Sequence, residues 1–142
     1  METEPKIIQA YIVPGTVKLI YRHLLQIGDG SVRTAEASEC AADQRKFWPM
    51  HDMLYRRQRE VYASTDLDAT LAGFAIDLSL DAGAFSSCMT AHKHLQFVLD
   101  DYKAAQAAGV QFRPVFDIGS VRLTGALPFA TCQKQIAAAL PK

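Results

Sequence analysis

A chain of 142 residues, 49% hydrophobic and 21% charged, is long enough for one domain with its own core and too short for two independent ones. Lys+Arg and Asp+Glu both number 15, a formal net charge of zero, which argues against nucleic acid or an acidic membrane surface as the main partner, since both are met by a positive field. No apolar run reaches the roughly 18 residues of a membrane span, and Glu2 and Glu4 followed by Pro5 do not make a signal peptide. Three cysteines at wide spacing are not a disulfide framework.

Glu2 to Tyr11 reads as a short helix, with Pro5 in its first turn and Ile7, Ile8 and Tyr11 at helical spacing. Val13-Pro14-Gly15 ends it in a turn, and the β-branched, apolar Val17–Tyr21 predicts a strand. Gly28-Asp29-Gly30 reads as a loop. From Thr34 to about Ala108 the signal is helical. Ala37, Cys40 and Ala41 share one face, as do Met50, Met53 and Leu54 in a helix that Pro49 opens. Asp66 predicts an N-cap for a helix with Leu67, Leu71, Phe74, Ala75 and Leu78 inward, and Asp81 one for a helix with Phe85, Cys88 and Met89 inward. His92 to Ala108 follows, with Leu95, Val98, Leu99 and Tyr102 inward and Gly109 as its stop. Val115–Ile118 and Val121–Thr124 predict two strands around a Gly119-Ser120 turn. Pro128 opens a last helix with Phe129, Cys132, Ile136 and Leu140 on one face.

Read in order, these residues resemble a DsbA-like thioredoxin-fold protein. Gly109-Val110-Gln111-Phe112-Arg113-Pro114-Val115-Phe116-Asp117-Ile118-Gly119 is similar to that family's segment before and through its third core strand, where a cis proline stands. Arg122–Ala126 with Pro128-Phe129 is similar to the strand and helix start that come next. Thr34–Ala41 and Lys46–Asp52 resemble the opening of the family's helical insertion, and Val17–His23 the strand before it. The resemblance implies an α/β, thioredoxin-like fold with a large all-helical insertion. Residues 1–30 and 109–142 would form the thioredoxin-like part and residues 31–108 the insertion.

The family begins with a strand and a Cys-x-x-Cys pair, whose first thiol is activated at a helix N-terminus. Neither is found in this sequence, and Cys40, Cys88 and Cys132 make no such pair. The expectation is an N-terminally truncated member with a depleted sheet that lacks its central strand. No catalytic residue, cofactor or metal site is predicted. Either Val17–Tyr21 pairs directly with Val115–Ile118, leaving the Ile7, Ile8 and Tyr11 face poorly covered, or a second copy covers the gap as a homodimer.

The resemblance implies substrate binding at Arg113 and Pro114, since the residue before the cis proline offers its backbone to an extended peptide or protein substrate. The plainer alternative is that Pro114 only starts a strand. Arg113 departs from the usual small residue and would fill the groove. Cys40 and Cys88 are either two buried apolar residues or, in an oxidising compartment, a disulfide. Cys132 belongs to the core.

His92 and His94 are expected on different sides of a helix, and His51 and Asp52 are expected to diverge. Phe47-Trp48 should anchor the helical lobe. Arg56, Arg57, Arg59, Lys93 and Lys103 should be solvated.

Three functions follow: a non-catalytic homologue that self-associates or binds peptide; a fragment of an active thiol-disulfide oxidoreductase whose true N-terminus carries the Cys-x-x-Cys; and a glutathione-linked enzyme using a serine. The chain as it begins is expected in the cytoplasm, and in the periplasm or exported if the natural start lies further upstream.

Overall fold

The computed structural model describes residues 3–141 and divides into two compact units, one running through Arg22 and resuming at Ala105, the other being His23–Ala104.

In the first unit, α1 (Thr3–Ile7) runs on into a π-helical stretch, Ile8–Ile12. Glu2, where the sequence places the helix start, lies outside the described residues. Strands β1 (Val115–Ile118) and β2 (Val121–Thr124) pair antiparallel, with Phe116 opposite Leu123 and Ile118 opposite Val121. Gly119 takes a φ of 61° in the two-residue turn, a conformation a side chain would strain. Helix α8 (Phe129–Ala139) follows Pro128, its N-cap. Ile7, Leu123, Cys132 and Ile136 form the buried centre, with Tyr11, Val17, Phe116 and Ile118 packed around it. Ile7 is 5% exposed and Tyr11 packs on the cluster, while Ile8 stays half-buried, so the face expected to lie bare is covered in part.

Val17–Tyr21 is not a strand. The N–H groups of Thr16 and Val17 both donate to the Tyr11 carbonyl, at 2.9 and 3.0 Å. The chain is thereby folded back on the helix end instead of presenting an extended row. A β-branched run becomes a strand only where a ladder partner meets it, and among the described residues the sheet has two strands, β1 and β2.

The second unit is helical. Helix α2 (Gly28–Ala42) starts at the expected loop rather than at Thr34. Gly28, at φ 54°, turns the chain, and Ser31 Oγ accepts the Ile27 N–H at 2.9 Å. Thr34 Oγ1 donates to the Gly30 carbonyl at 2.9 Å, and Asp29 suits the positive helix end. The Gly-Asp-Gly composition is thus overridden by side chains that satisfy the first turn, and by the buried row of Ala35, Ala37, Cys40 and Ala41 behind it.

Helices α3 (Phe47–Arg56), α4 (Gln58–Ala63), α5 (Leu67–Asp77), α6 (Ala82–Thr90) and α7 (Leu95–Ala107) follow. Asp66 and Asp81 cap α5 and α6 through the N–H groups of Ala69 and Ala84, at 3.0 and 2.8 Å. Met50, Leu71, Phe74 and Ala75 are fully buried among α2, α3 and α5. Trp48 is 37% exposed and Phe47 half-buried, and neither belongs to the buried cluster of the lobe; Met50, two residues past Trp48, takes that place. Gly109, at φ 70°, follows the end of α7. Among the described residues no helix is long and apolar enough to cross a membrane.

Cys40 on α2 and Cys88 on α6 are joined as a disulfide, with their Cα atoms 5.9 Å apart. Of the two sequence readings for this pair, the structure has the bridge. Cys132 is a free, buried thiol, which burial pushes above its ordinary pKa.

Candidate functional site

Arg113 and Pro114, where the resemblance implies substrate binding, lead directly into β1. The Arg113–Pro114 peptide bond is cis, and the Pro114 carbonyl accepts the Gly125 N–H at 2.9 Å. Bonding between β1 and β2 therefore falls at Pro114, Phe116 and Ile118, opposite Gly125, Leu123 and Val121. By the alternation of an antiparallel pair, the backbone groups of Val115 and Asp117 point away from β2, to the outer edge of β1. Arg122 closes the other side. Its Nε and Nη2 donate to the two carboxylate oxygens of Asp117 at 2.7 and 2.8 Å, and its Nη1 donates to the Ala108 carbonyl. The Arg122 guanidinium holds the Asp117 carboxyl below its usual range.

The helical unit holds two buried histidines. His23 is held through its backbone N–H by Asp101 Oδ2 at 3.1 Å, and its Nε2 lies 2.7 Å from Glu39 Oε1. Its ring meets Phe47 and Phe97 edge-on. His51 lies between Trp48 and Tyr55, with ring centroids 5.3 and 4.8 Å away. Its Nδ1 sits 3.1 Å from Asp52 Oδ1. Expected to diverge, His51 and Asp52 meet at that distance. The result is an imidazole and an indole beside a carboxylate.

His92 and His94, expected on one helix, lie instead in the turn before α7, which starts at Leu95, and they meet different acids. His92 Nδ1 lies 3.1 Å from Oε1 of Glu36, a carboxylate 1% exposed that also accepts from Arg33 Nη1 at 3.0 Å. His94 Nε2 donates to Asp43 Oδ2 at 3.0 Å, beside Lys93 Nζ at 2.8 Å. The hydrogen bonds from Lys93 and His94 hold the Asp43 carboxyl below its usual range. Sequence reading missed His23, Glu36, Glu39 and Asp43. The available signal was the run of acids at 36, 39 and 43 on the same helix as Cys40, three and four residues apart.

The family profile described as Thioredoxin matches residues 1–138. The chain is 29% identical over 126 residues to Na(+)/H(+) antiporter NhaA 3 of Salinispora tropica, covering 87% of this chain and 19% of that protein. It is 31% identical over 109 residues to Na(+)/H(+) antiporter NhaA of Herminiimonas arsenicoxydans, covering 77% of this chain and 17% of that protein. The chain thus spans under a fifth of the length of these curated relatives.

Proposed function

Because the chain belongs to the thioredoxin family, we propose that it is a DsbA-like module that pairs an extended segment with the outer edge of its hairpin and does not itself catalyse disulfide exchange in other proteins. The outer edge of β1, which meets no other strand among the described residues, carries this reading. Val115 and Asp117 turn backbone donors and acceptors away from β2, the standard template for an added strand. Arg113 and Pro114 would flank the incoming segment. Residues 1–30 and 109–142 form the thioredoxin-like part in this reading, and residues 31–108 its helical insertion.

A second copy of the chain is the first occupant, as a homodimer. Sedimentation equilibrium at micromolar concentration tests it with a pair of variants. Asp117→Pro removes the outward N–H, and Asp117→Asn keeps it. The wild type and D117N should be dimers and D117P a monomer. A monomeric wild type, or a dimeric D117P, overturns the reading.

No thiol in the sequence forms a Cys-x-x-Cys pair, and Cys132 is buried. The chain should therefore not reduce insulin faster than a thiol control. The Cys40–Cys88 bridge supports an oxidising compartment.

That outer edge, together with relatives some five times longer, favours one second reading: a fragment of a longer, active oxidoreductase whose preceding strand fills the edge and brings the Cys-x-x-Cys. Sequencing the DNA upstream of the Met1 codon separates the two. An in-frame Cys-x-x-Cys supports the second, and a stop codon the first.

A further inference from the structure

The Sγ atoms of Cys40 and Cys88 and a ring nitrogen of His94 lie within 4.8 Å of one another. Asp43 Oδ2 stands 3.0 Å from His94 Nε2 and 3.8 Å from Cys88 Sγ. A bridged sulfur carries no proton, so that last approach is a contact, and it becomes a thiol or thiolate beside a carboxylate once the bridge opens. We propose that reduction of the Cys40–Cys88 bridge creates a zinc site, with the two thiolates and His94 as ligands and Asp43 completing the cluster.

The donor set argues for the metal. Two thiolates, an imidazole and a neighbouring carboxylate are what zinc selects, at bond lengths of about 2.3 Å to sulfur and about 2.0–2.1 Å to nitrogen. Donor atoms around such an ion lie roughly 3–4 Å apart on those bond lengths; the two sulfurs, bonded to each other in the bridge, would part to that spacing on reduction, and the His94 ring nitrogen lies within 4.8 Å of both. Cys40 and Cys88 are 1% and 8% exposed, so bound metal would be largely shielded. The His94 side chain is 19% exposed and gives a way in from solvent. Lys93 is the local competitor for Asp43. Its side chain is 57% exposed and can swing into water.

The chemistry balances. A dithiol gives two electrons and two protons to the bridge. The S–S bond breaks, two S–H bonds form, and the dithiol closes its own disulfide. Zinc then displaces both thiol protons to water, and His94 binds through a ring nitrogen that carries no proton while the other nitrogen keeps the N–H. The cluster would be bridged where thiols are oxidised and metal-bound where a dithiol pool keeps them reduced. This goes beyond the strand-pairing reading and does not depend on it.

The test is zinc binding by the full chain, oxidised and phosphine-reduced, followed by equilibrium dialysis and far-ultraviolet circular dichroism. Cobalt(II) serves as the spectroscopic probe. The reduced chain should hold one zinc and the oxidised chain none. Cobalt should give thiolate charge-transfer absorption. His94→Ala should weaken zinc binding at least about tenfold, the scale of losing a ligand or its support. Cys132→Ser should leave it unchanged.

The proposal is overturned if the reduced chain takes up no zinc, if H94A binds as tightly as wild type, or if C132S abolishes binding. A reduced chain that loses its helical signal is also decisive. Zinc should restore the signal, since metal binding to a reduced site is folding free energy; failure to restore it counts against the site.

Discussion

Asp43, at the C-terminal end of α2, accepts a hydrogen bond from His94 Nε2 across 51 residues of sequence. Lys93 Nζ shares the same oxygen at 2.8 Å. The carboxylate closes the α2 end against the turn that follows α6.

That clamp has a pH signature. The folded-state pKa of Asp43 is depressed, first by the Lys93 hydrogen bond and then by that from His94. The clamp therefore adds stability above the ordinary aspartate range, and loses it as the pH falls through the lowered folded value. The Asp43 side chain is 35% exposed, so solvent screening holds the gain to roughly 0.2–1 kcal/mol per pair. Asp43→Asn should lower the urea midpoint at neutral pH and leave it unchanged in strong acid. An equal loss at both pH values would place the effect outside the clamp.

The Cys40–Cys88 bridge closes a loop with a sequence separation of 48. Loop-closure entropy for that length is worth about 4 kcal/mol against the unfolded chain. The double substitution Cys40→Ala and Cys88→Ala should cost that order of stability in denaturant unfolding, and adding a reductant to the double variant should change nothing further. A variant as stable as the oxidised wild type would mean that the bridge constrains little.

Arg33 joins two acids of unlike burial. Its Nη1 donates to Glu36, 1% exposed, and its Nη2 lies 2.8 Å from Asp68, which is 64% exposed. Removing Arg33 leaves the buried Glu36 charge with His92 as its remaining partner. Arg33→Met should cost about 3–5 kcal/mol, and Arg33→Met with Glu36→Met together clearly less. Additive losses in the double-mutant cycle would show that the two residues do not act as a pair.

Arg122 grips Asp117 through both oxygens. In Arg122→Ala the Asp117 carboxyl should titrate nearer its ordinary range, read by carbon-13 chemical shift. An unmoved titration would assign the depression to another cause.

The legible parts of the fold were those fixed by local chemistry. Asp66 and Asp81 each met the third N–H beyond them, and the Gly119-Ser120 turn set the hairpin register. Val17–Tyr21 failed because strand propensity describes a side chain's fit to a ladder, and among the described residues no ladder reaches it. The α2 start failed because two glycines outweighed the Ser31 and Thr34 side-chain bonds, which composition does not reveal. The cysteine cluster was half legible. The inward phases of Cys40 and Cys88 followed from helical spacing, but the approach of Asp43 to His94 depends on how α2 and α6 lie together, which no local period encodes.

The Cys40–Cys88 bond also closes residues 40–88 of the helical unit into a covalent ring. Helices α3, α4 and α5 hang on the arc between the two sulfurs. A protease that cuts in the connection between α4 and α5 opens this ring without parting the polypeptide, so the nicked chain keeps its mass on a non-reducing gel and falls into two pieces under reduction. A cut outside the arc releases its fragment at once. Topologically, the unit has an inside, where a broken backbone is survivable, and an outside, where it is not.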